Sequence, residues 1–150
     1  WARGEVVPSD LYTFASGNTN PVPVTINGQP QAYQVDHGYA VITRRWESGD
    51  HISINFPMQP RFVRAHPNLK DDEGKVAIQR GPLVYCLEGQ DQPDEHVINT
   101  MVFENAKLES TWEPALLNGV MAVSLEGAVV HEESNQNLAS NRIPLIAIPY

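Results

Sequence analysis

Apolar and polar side chains alternate with a period of two over much of this 150-residue chain. The alternation is regular in residues 22–26 and 52–56, and it is typical of β-strands that bury one face. No segment has the apolar spacing of an amphipathic helix of three turns. Shorter apolar runs predict further strands at residues 39–42, 61–65, 76–78, 83–87, 102–103, 116–117, 120–125, 128–130 and 145–148.

Turn-forming residues separate the predicted strands. Asn27-Gly28 is a two-residue hairpin signal, and Gly81-Pro82 fixes a bend between two strands. Residues 83–87 are apolar at every position, which favours a buried central strand. Many short strands about 8–12 residues apart predict an all-β, antiparallel β-sandwich or jelly-roll-like fold with little or no helix.

Two polar stretches interrupt the strand pattern. Residues 68–74 hold four consecutive charged residues and a glycine, so they predict a solvated loop and the best internal boundary. We therefore expect residues 1–67 to be the end of one β-sandwich domain and residues 68–150 to form a second, with one merged domain as the alternative. Residues 134–141 predict a polar, mobile loop.

Composition narrows the classes of partner. The formal net charge is −8 and the basic residues are scattered, which argues against nucleic-acid binding. No apolar run approaches the roughly 18–20 residues that a membrane-spanning helix needs. Cys86 is the single cysteine, so the chain holds no internal disulfide and no cysteine-rich zinc site.

Candidate nucleophiles and acid–base pairs are few. Cys86 lies inside an apolar run, where a small buried side chain is the favoured interpretation over a reactive thiolate. Glu88 and Asp91 stand three residues apart at a strand end, and glycosidic cleavage needs two carboxylates about 5–10 Å apart. Acidic pairs are common in turns, so we expect no complete catalytic site in this chain.

Tryptophans and histidines are the remaining candidates for binding a sugar or a metal ion. The tryptophans Trp46 and Trp112 both sit beside turns, where an indole either fills the edge of the core, which we favour, or stacks on a sugar ring. The histidines show neither helical nor strand ligand spacing, so we expect no metal site. They are His37, His51, His66, His96 and His131.

Two segments resemble a known family. The first is GYAVITRRW at residues 38–46, followed by Gly49-Asp50 and by FPM at residues 56–58; the second is KVAIQRGPLVYCLE at residues 75–88. Together they resemble the region after the catalytic barrel in glycoside hydrolase family 127, the β-L-arabinofuranosidase family. Weaker support comes from Trp1-Ala2-Arg3, Ile26-Asn27-Gly28 and Ile148-Pro149-Tyr150.

The resemblance implies a bacterial parent with an (α/α)6 barrel and β-sandwich domains. It implies a retaining mechanism in the barrel, with a zinc-bound cysteine nucleophile and a glutamate and further cysteines as ligands. Cys86 does not match that nucleophile, so no catalytic residue and no cofactor is carried onto this chain. Against the family pattern both ends look truncated, and the compartment stays open between cytoplasm and periplasm or secretion.

The motif residues then have structural roles. We expect Arg80, beside Gly81 and Pro82, to hold backbone carbonyls or a carboxylate such as Glu88, and Tyr85 to belong to the same scaffold. The expected function is a non-catalytic accessory sandwich that supports the catalytic barrel of the same polypeptide, with a homodimer as a possible partner. An independent carbohydrate-binding module is the alternative, and a catalytic domain using Glu88 and Asp91 comes third.

Overall fold

The chain divides into two compact units, Trp1–Val76 and Ala77–Tyr150. The structure, a computed structural model, describes residues 11–15, 21–93, 95, 97–103, 105–133 and 137–150. Within these ranges there are strands, turns and two 3₁₀ helices of three residues each, but no α-helix. The fold is all-β and antiparallel, of the β-sandwich class, as the alternating pattern predicted.

The first unit is built from short strands. They are β1 (Tyr12–Phe14), β2 (Val24–Ile26), β3 (Gln29–Pro30), β4 (Gln34–Asp36), β5 (Tyr39–Val41), β6 (Ile52–Ile54) and β7 (Pro60–Ala65). β2 lies between β3 and β6, β4 pairs with β5, and β1 pairs with β7, each pair being antiparallel. A 3₁₀ helix, Lys70–Asp72, lies in the exposed polar stretch after β7, in place of a plain loop.

Two tight turns fix the register of these hairpins. Asn27 and Gly28 join β2 to β3 with φ values of 52° and 77°, and His37 and Gly38 join β4 to β5 with 47° and 85°. Positive φ at both central residues is the type I′ arrangement, whose twist matches that of the flanking strands. The Asn-Gly hairpin signal is therefore confirmed.

The apolar face of the β2–β6 pair is only half covered. Val24 is opposite Ile54 and Ile26 is opposite Ile52, so these four side chains share one face. Val24 and Ile26 are buried, whereas Ile52 and Ile54 are about half exposed, at 50% and 53%. The first unit thus leaves part of its apolar sheet face in contact with solvent.

The second unit is organised by two long strands. Its strands are β8 (Val76–Arg80, beginning one residue before the unit), β9 (Leu83–Cys86), β10 (Thr100–Val102), β11 (Glu109–Glu113), β12 (Val120–Glu133) and β13 (Asn137–Pro149). β12 and β13 pair over eleven positions. β9 pairs with β13 on one side and with β8 on the other. β10 and β11 pair with different parts of β12.

The largest buried side chains of this unit lie on one face of the β12–β13 pair. Val123 and Ala147 are fully buried and directly opposite each other, and Leu125 and Leu145 form the next buried pair on that face. Gly127 lies between Leu145 and the backbone of β10, where an added Cβ would come within 2.6 Å of the Met101 carbonyl oxygen and collide with Leu145. Only glycine fits at that position.

Several predicted boundaries were wrong. Residues 120–125 and 128–130 belong to one continuous strand, and residues 116–117 form a turn instead of a strand. β13 begins at Asn137, inside the stretch predicted as a loop at residues 134–141; residues 134–136 lie outside the described part of the chain. The predicted buried strand at residues 83–87 is paired on both sides, but Leu83 and Val84 are exposed.

A buried glutamine closes the gap where β9 leaves the sheet. β9 ends at Cys86, opposite Ile148, and the chain then turns through a 3₁₀ helix at Gly89–Asp91. The Gln92 amide takes the place of the missing strand, since its Nε2 donates to the Ile146 carbonyl at 2.9 Å and its Oε1 accepts from the Ile146 amide at 3.1 Å. Gln92 is 4% exposed, so no water replaces these bonds readily.

The substitution Gln92→Leu tests this arrangement. It replaces the amide by an apolar side chain of similar size and leaves the part-buried Ile146 amide and carbonyl without the Gln92 bonds, so we expect the free energy of unfolding to fall by about 1–3 kcal/mol. The matched control is Gln90→Leu, because Gln90 is exposed and bonds only the exposed Glu88 carboxylate. Urea denaturation should show a loss for the first variant only, and equal stability of both would contradict this role.

Candidate functional site

Cys86 lies at the end of β9 with its side chain half-buried, not fully buried as the sequence suggested. Its Sγ is 4.0 Å from Glu88 Oε1. Burial raises the pKa of the thiol, and the negative charges of Glu88 and Asp91 raise it further. An activated cysteine needs the opposite surroundings, with a cation or helix N-terminus beside the sulfur. These surroundings favour the thiol form of Cys86 over the thiolate.

The carboxylates of Glu88 and Asp91 flank a single 3₁₀ turn. Glu88 precedes the turn and Asp91 is its last residue, and Gln90 Nε2 donates to Glu88 Oε2 at 3.0 Å. Neither residue lines either of the two clefts described below. The pair therefore lies on one short turn rather than on opposite walls of a substrate cleft, as glycosidic cleavage requires.

The predicted motif residues form a hairpin. Gly81 and Pro82 connect β8 to β9, with Gly81 at a φ of 57°, and Gln79 Nε2 donates to the Gly81 carbonyl at 2.8 Å. Arg80 Nε donates to Ser110 Oγ on β11 at 3.1 Å, so its partner is a hydroxyl and not Glu88 or a carbonyl as expected.

Tyr85 is buried and links β9 to β12. Its hydroxyl donates to the Met121 carbonyl at 2.8 Å. Tyr85 is also opposite Ile78 in the β8–β9 hairpin. Together with the Arg80 bond to β11, this contact ties the hairpin to the central strands, so the motif is structural in its contacts.

The two candidate tryptophans are exposed, and the favoured expectation that they fill the core edge is wrong. Trp46 is 45% exposed and Trp112 is 58% exposed. The Arg44 guanidinium lies 5.2 Å from the centre of the Trp46 ring. The Trp112 ring covers Gly119, where an added Cβ would come within 2.6 Å of it. Each indole thus has one neighbour within the fold and remains about half exposed.

Asp50 orders the loop that carries Trp46. The Asp50 carboxylate accepts from the Glu47 amide at 3.0 Å and from Asn27 Nδ2 at 2.7 Å, and Arg44 lies 3.6 Å away. These contacts, the Glu47 amide first, lower the pKa of Asp50. Because Arg44 contacts both Asp50 and the Trp46 ring, the loop presents the indole on a hydrogen-bonded support.

An apolar cleft opens in the first unit. It has a volume of about 250 Å³ and lies between the β4–β5 hairpin and the exposed side of the β2–β6 pair. Tyr39 on the hairpin is 76% exposed at its edge, and Phe56 lines its other side. Tyr33 also lines the cleft, and its hydroxyl donates to the Val22 carbonyl at 2.7 Å.

A second cleft, of about 430 Å³, lies in the second unit beside β12. Lys107 and Glu109 form one ion pair at 2.5 Å, and Arg142 and Glu126 form another at 2.8 Å. Leu125, Ile143 and Pro144 supply its apolar lining. This cleft is shallow, charged at its rim and balanced in charge.

The described residues contain no group of three or more His, Cys, Asp or Glu side chains placed to hold a metal ion. His37 pairs with Asp36 in an exposed turn, and His66 accepts from the Asn68 amide. His51 lies in the loop before β6, His131 lies in β12, and His96 is outside the described residues. In that same part of the chain, no helix is long and apolar enough to cross a membrane.

Two protein-family models match this chain and together cover most of it. The family model for the glycoside hydrolase family 127 C-terminal domain matches residues 60–150. The model for the β-L-arabinofuranosidase, family 127 middle domain, matches residues 11–58. The chain belongs to glycoside hydrolase family 127. The resemblance carried by residues 38–58 and 75–88 is therefore confirmed.

Three family 127 relatives are much longer than this chain. A non-reducing end β-L-arabinofuranosidase from Bifidobacterium longum subsp. longum is 30% identical over 115 residues, which are 75% of this chain and 17% of that protein. A solved family 127 β-arabinofuranosidase is 34% identical, with a TM-score of 0.83 over 100% of this chain and 24% of its own. A β-L-arabinofuranosidase from Geobacillus stearothermophilus T6 is 36% identical, with a TM-score of 0.73 over 87% of this chain and 22% of its own.

The chain thus spans less than a quarter of the length of these family 127 relatives. The family models meet near residue 59, whereas the compact units divide after Val76. The boundary at residues 67–68 stays a prediction.

The raised pKa of Cys86 leads to a labelling experiment. We expect Cys86 to react with iodoacetamide more slowly than N-acetylcysteine at pH 8, because less of it is thiolate. Glu88→Gln removes one of the charges that raise the pKa, so labelling at pH 8 should quicken by about two- to fivefold. Glu73→Gln, in the first unit, is the control; a Cys86 faster than the free thiol would restore it as a candidate nucleophile.

Proposed function

We propose that this chain is a non-catalytic accessory β-sandwich segment of a longer family 127 glycoside hydrolase. In this proposal the chemistry is performed by an (α/α)6 barrel elsewhere in the same polypeptide. The observation that carries this proposal is how little of each relative the chain matches. Each relative named for arabinofuranosidase activity is more than four times as long as its matching part. The raised pKa of Cys86 and the single-turn placement of Glu88 and Asp91 support it.

The substrate follows from the relatives and is equally a proposal. Two of them are named β-L-arabinofuranosidases, so we assign the parent polypeptide to hydrolysis of β-L-arabinofuranosides. The zinc that the resemblance implies does not fit the described residues here, since none of their His, Cys, Asp and Glu side chains cluster in threes. A zinc-bound cysteine would therefore belong to the barrel.

The first unit offers a surface of the kind that domain packing covers. Ile52 and Ile54 on β6, together with Tyr39 and Val41 on β5, leave apolar side chains in solvent. Contiguous exposed apolar surface of this kind marks interaction sites more often than free surface. Packing against other parts of the parent, or against a second copy, would bury it.

Hydrolysis by the chain alone is the direct test. We expect 4-nitrophenyl β-L-arabinofuranoside to be cleaved no faster in the presence of the chain than in buffer, because Glu88 and Asp91 lie on one short turn and line neither cleft. Glu88→Gln should behave in the same way. Turnover by the unaltered chain that disappears in Glu88→Gln would overturn the proposal and establish the catalytic alternative.

Carbohydrate binding is the second candidate function, and one observation favours it. Trp46 is 45% exposed on a loop that Asp50 and Arg44 hold in place. A supported, exposed aromatic ring stacks on the apolar C–H face of a sugar at little cost in side-chain entropy. This candidate needs affinity for sugars in the isolated chain, whereas the accessory proposal does not.

Calorimetric titration with arabino-oligosaccharides distinguishes the two. If the chain is a binding module, dissociation constants should lie in the micromolar to millimolar range, and Trp46→Ala should weaken them by roughly three- to tenfold. Arg45→Gln changes the neighbouring exposed residue and serves as the control. A titration without heat, or one that Trp46→Ala leaves unchanged, would exclude Trp46 as a sugar platform.

A further inference from the structure

The cleft beside β12 arises from a break in strand pairing. β11 pairs with residues 120–124 of β12 and β10 pairs with residues 127–129, so neither pairs with Leu125 and Glu126 between them. A cleft of about 430 Å³ opens at this break. That volume lies within the roughly 300–1,000 Å³ of small-molecule sites.

The strand register places the polar residues of the cleft on one face. Glu109 is opposite Ser124, Glu126 is opposite Pro144, and Arg142 is opposite residue 128, two positions along β12 from Glu126. Cross-strand partners and residues two apart share a face, so these side chains project to the same side. The opposite face carries the largest buried side chains of the unit, including Leu125 and Leu145.

The charges around the cleft are balanced and partly positioned. Lys107 pairs with Glu109 and Arg142 pairs with Glu126, giving two cations and two carboxylates. The Arg142 guanidinium also lies 4.9 Å from the centre of the Phe103 ring, which restricts where it can point. Each carboxylate thus lies beside its own cation at the rim of the cleft.

This combination suits one class of ligand. A sugar ring presents hydroxyls that both donate and accept, and here carboxylates accept while the ammonium and guanidinium groups donate. Pro144, on the same face as Glu126, offers apolar surface to its C–H groups. A charged sugar would have to displace a side chain of its own sign from one of the two ion pairs to gain a partner, and the displaced side chain would then lie unpaired beside the like charge of the sugar.

We infer that the cleft between β10 and β11 is a binding site for a neutral pentose or hexose ring, held by Glu126 and Arg142 on one side and by Lys107 and Glu109 on the other. The inference does not depend on Trp46, which lies in the other unit. It also goes beyond the accessory role, because a purely structural segment needs no ligand site. Since the cleft is shallow, the dissociation constants should be on the order of millimolar.

A titration followed by amide chemical shifts tests the site. The neutral probes are L-arabinose and D-galactose, and the charged probe is D-galacturonate, which carries a carboxylate where D-galactose carries a hydroxymethyl group. We expect at least one neutral sugar to shift the amides of residues 124–126 and 142–143 with a millimolar midpoint. D-galacturonate should bind several-fold more weakly than D-galactose.

Paired variants make the result specific to the cleft. The double variant Glu126→Gln with Arg142→Gln keeps side-chain size but removes both charges, and should weaken sugar binding by roughly tenfold or more. The control is Lys70→Gln with Glu73→Gln, which removes an exposed ion pair of the same type from the first unit. Trp46→Ala should leave the shifts in the cleft unchanged.

Three outcomes would overturn the inference. The first is the absence of shifts at residues 124–126 and 142–143 with both neutral sugars at 100-fold excess over the expected midpoint. The second is equal or tighter binding of D-galacturonate, and the third is binding that Trp46→Ala abolishes while the Glu126 and Arg142 variant retains it. Circular dichroism of each variant confirms that a loss of binding is not a loss of fold.

Discussion

The antiparallel pairing of β12 with β13 is the constraint on which the second unit depends. Eleven consecutive residue pairs fix which side chains share a face, and the consequences follow from that register. Val123, Leu125, Leu145 and Ala147 are placed in the core, whereas Ser124, Glu126 and Pro144 are placed on the opposite face. A shift of one residue in either strand would exchange these faces and bury Glu126.

The same pairing sets where the other elements attach. β9 reaches β13 only at Ile148 and Pro149, and beyond that point the Gln92 amide bonds the Ile146 backbone. On the other side, β11 and β10 use separate stretches of β12 and leave a break at Leu125 and Glu126. The Gln92 bonds and the candidate sugar cleft therefore have the same origin. Each lies where a short strand ends beside a longer one, β9 beside β13 and β10 and β11 beside β12.

Sequence reasoning recovered the fold class because period-two alternation and Asn-Gly turns have a direct physical cause in strand pairing. It failed where a strand lacks that alternation. Glu109–Glu113 is a polar strand that the alternation does not predict. The polar start of β13 lies inside residues 134–141, which the sequence predicts to be a loop. Leu116 and Leu117 look like a strand but form a turn with positive φ at Leu117, Asn118 and Gly119.

The features of the candidate sites that were predicted depend on residues close together in the sequence, and those that were not depend on how strands and loops are arranged in the fold. The bend at Gly81-Pro82 and the absence of an activated setting for Cys86 were predicted from local chemistry, and the structure agrees with both. The exposure of Trp46 and Trp112 was not predicted. The surroundings of these rings include the Asp50 loop and Gly119, which no local pattern links to them. The cleft residues come from three strands and a loop, so only the register brings them together.

The central claim is that the chemistry of the parent family 127 polypeptide lies outside this chain. The most direct measurement is the steady-state kcat of that polypeptide on a β-L-arabinofuranoside, with Cys86→Ser, Glu88→Gln and Asp91→Asn combined. The account predicts a kcat within about twofold of the unaltered enzyme at a temperature where both are folded. A loss of about 100-fold or more with an unchanged melting temperature would contradict it.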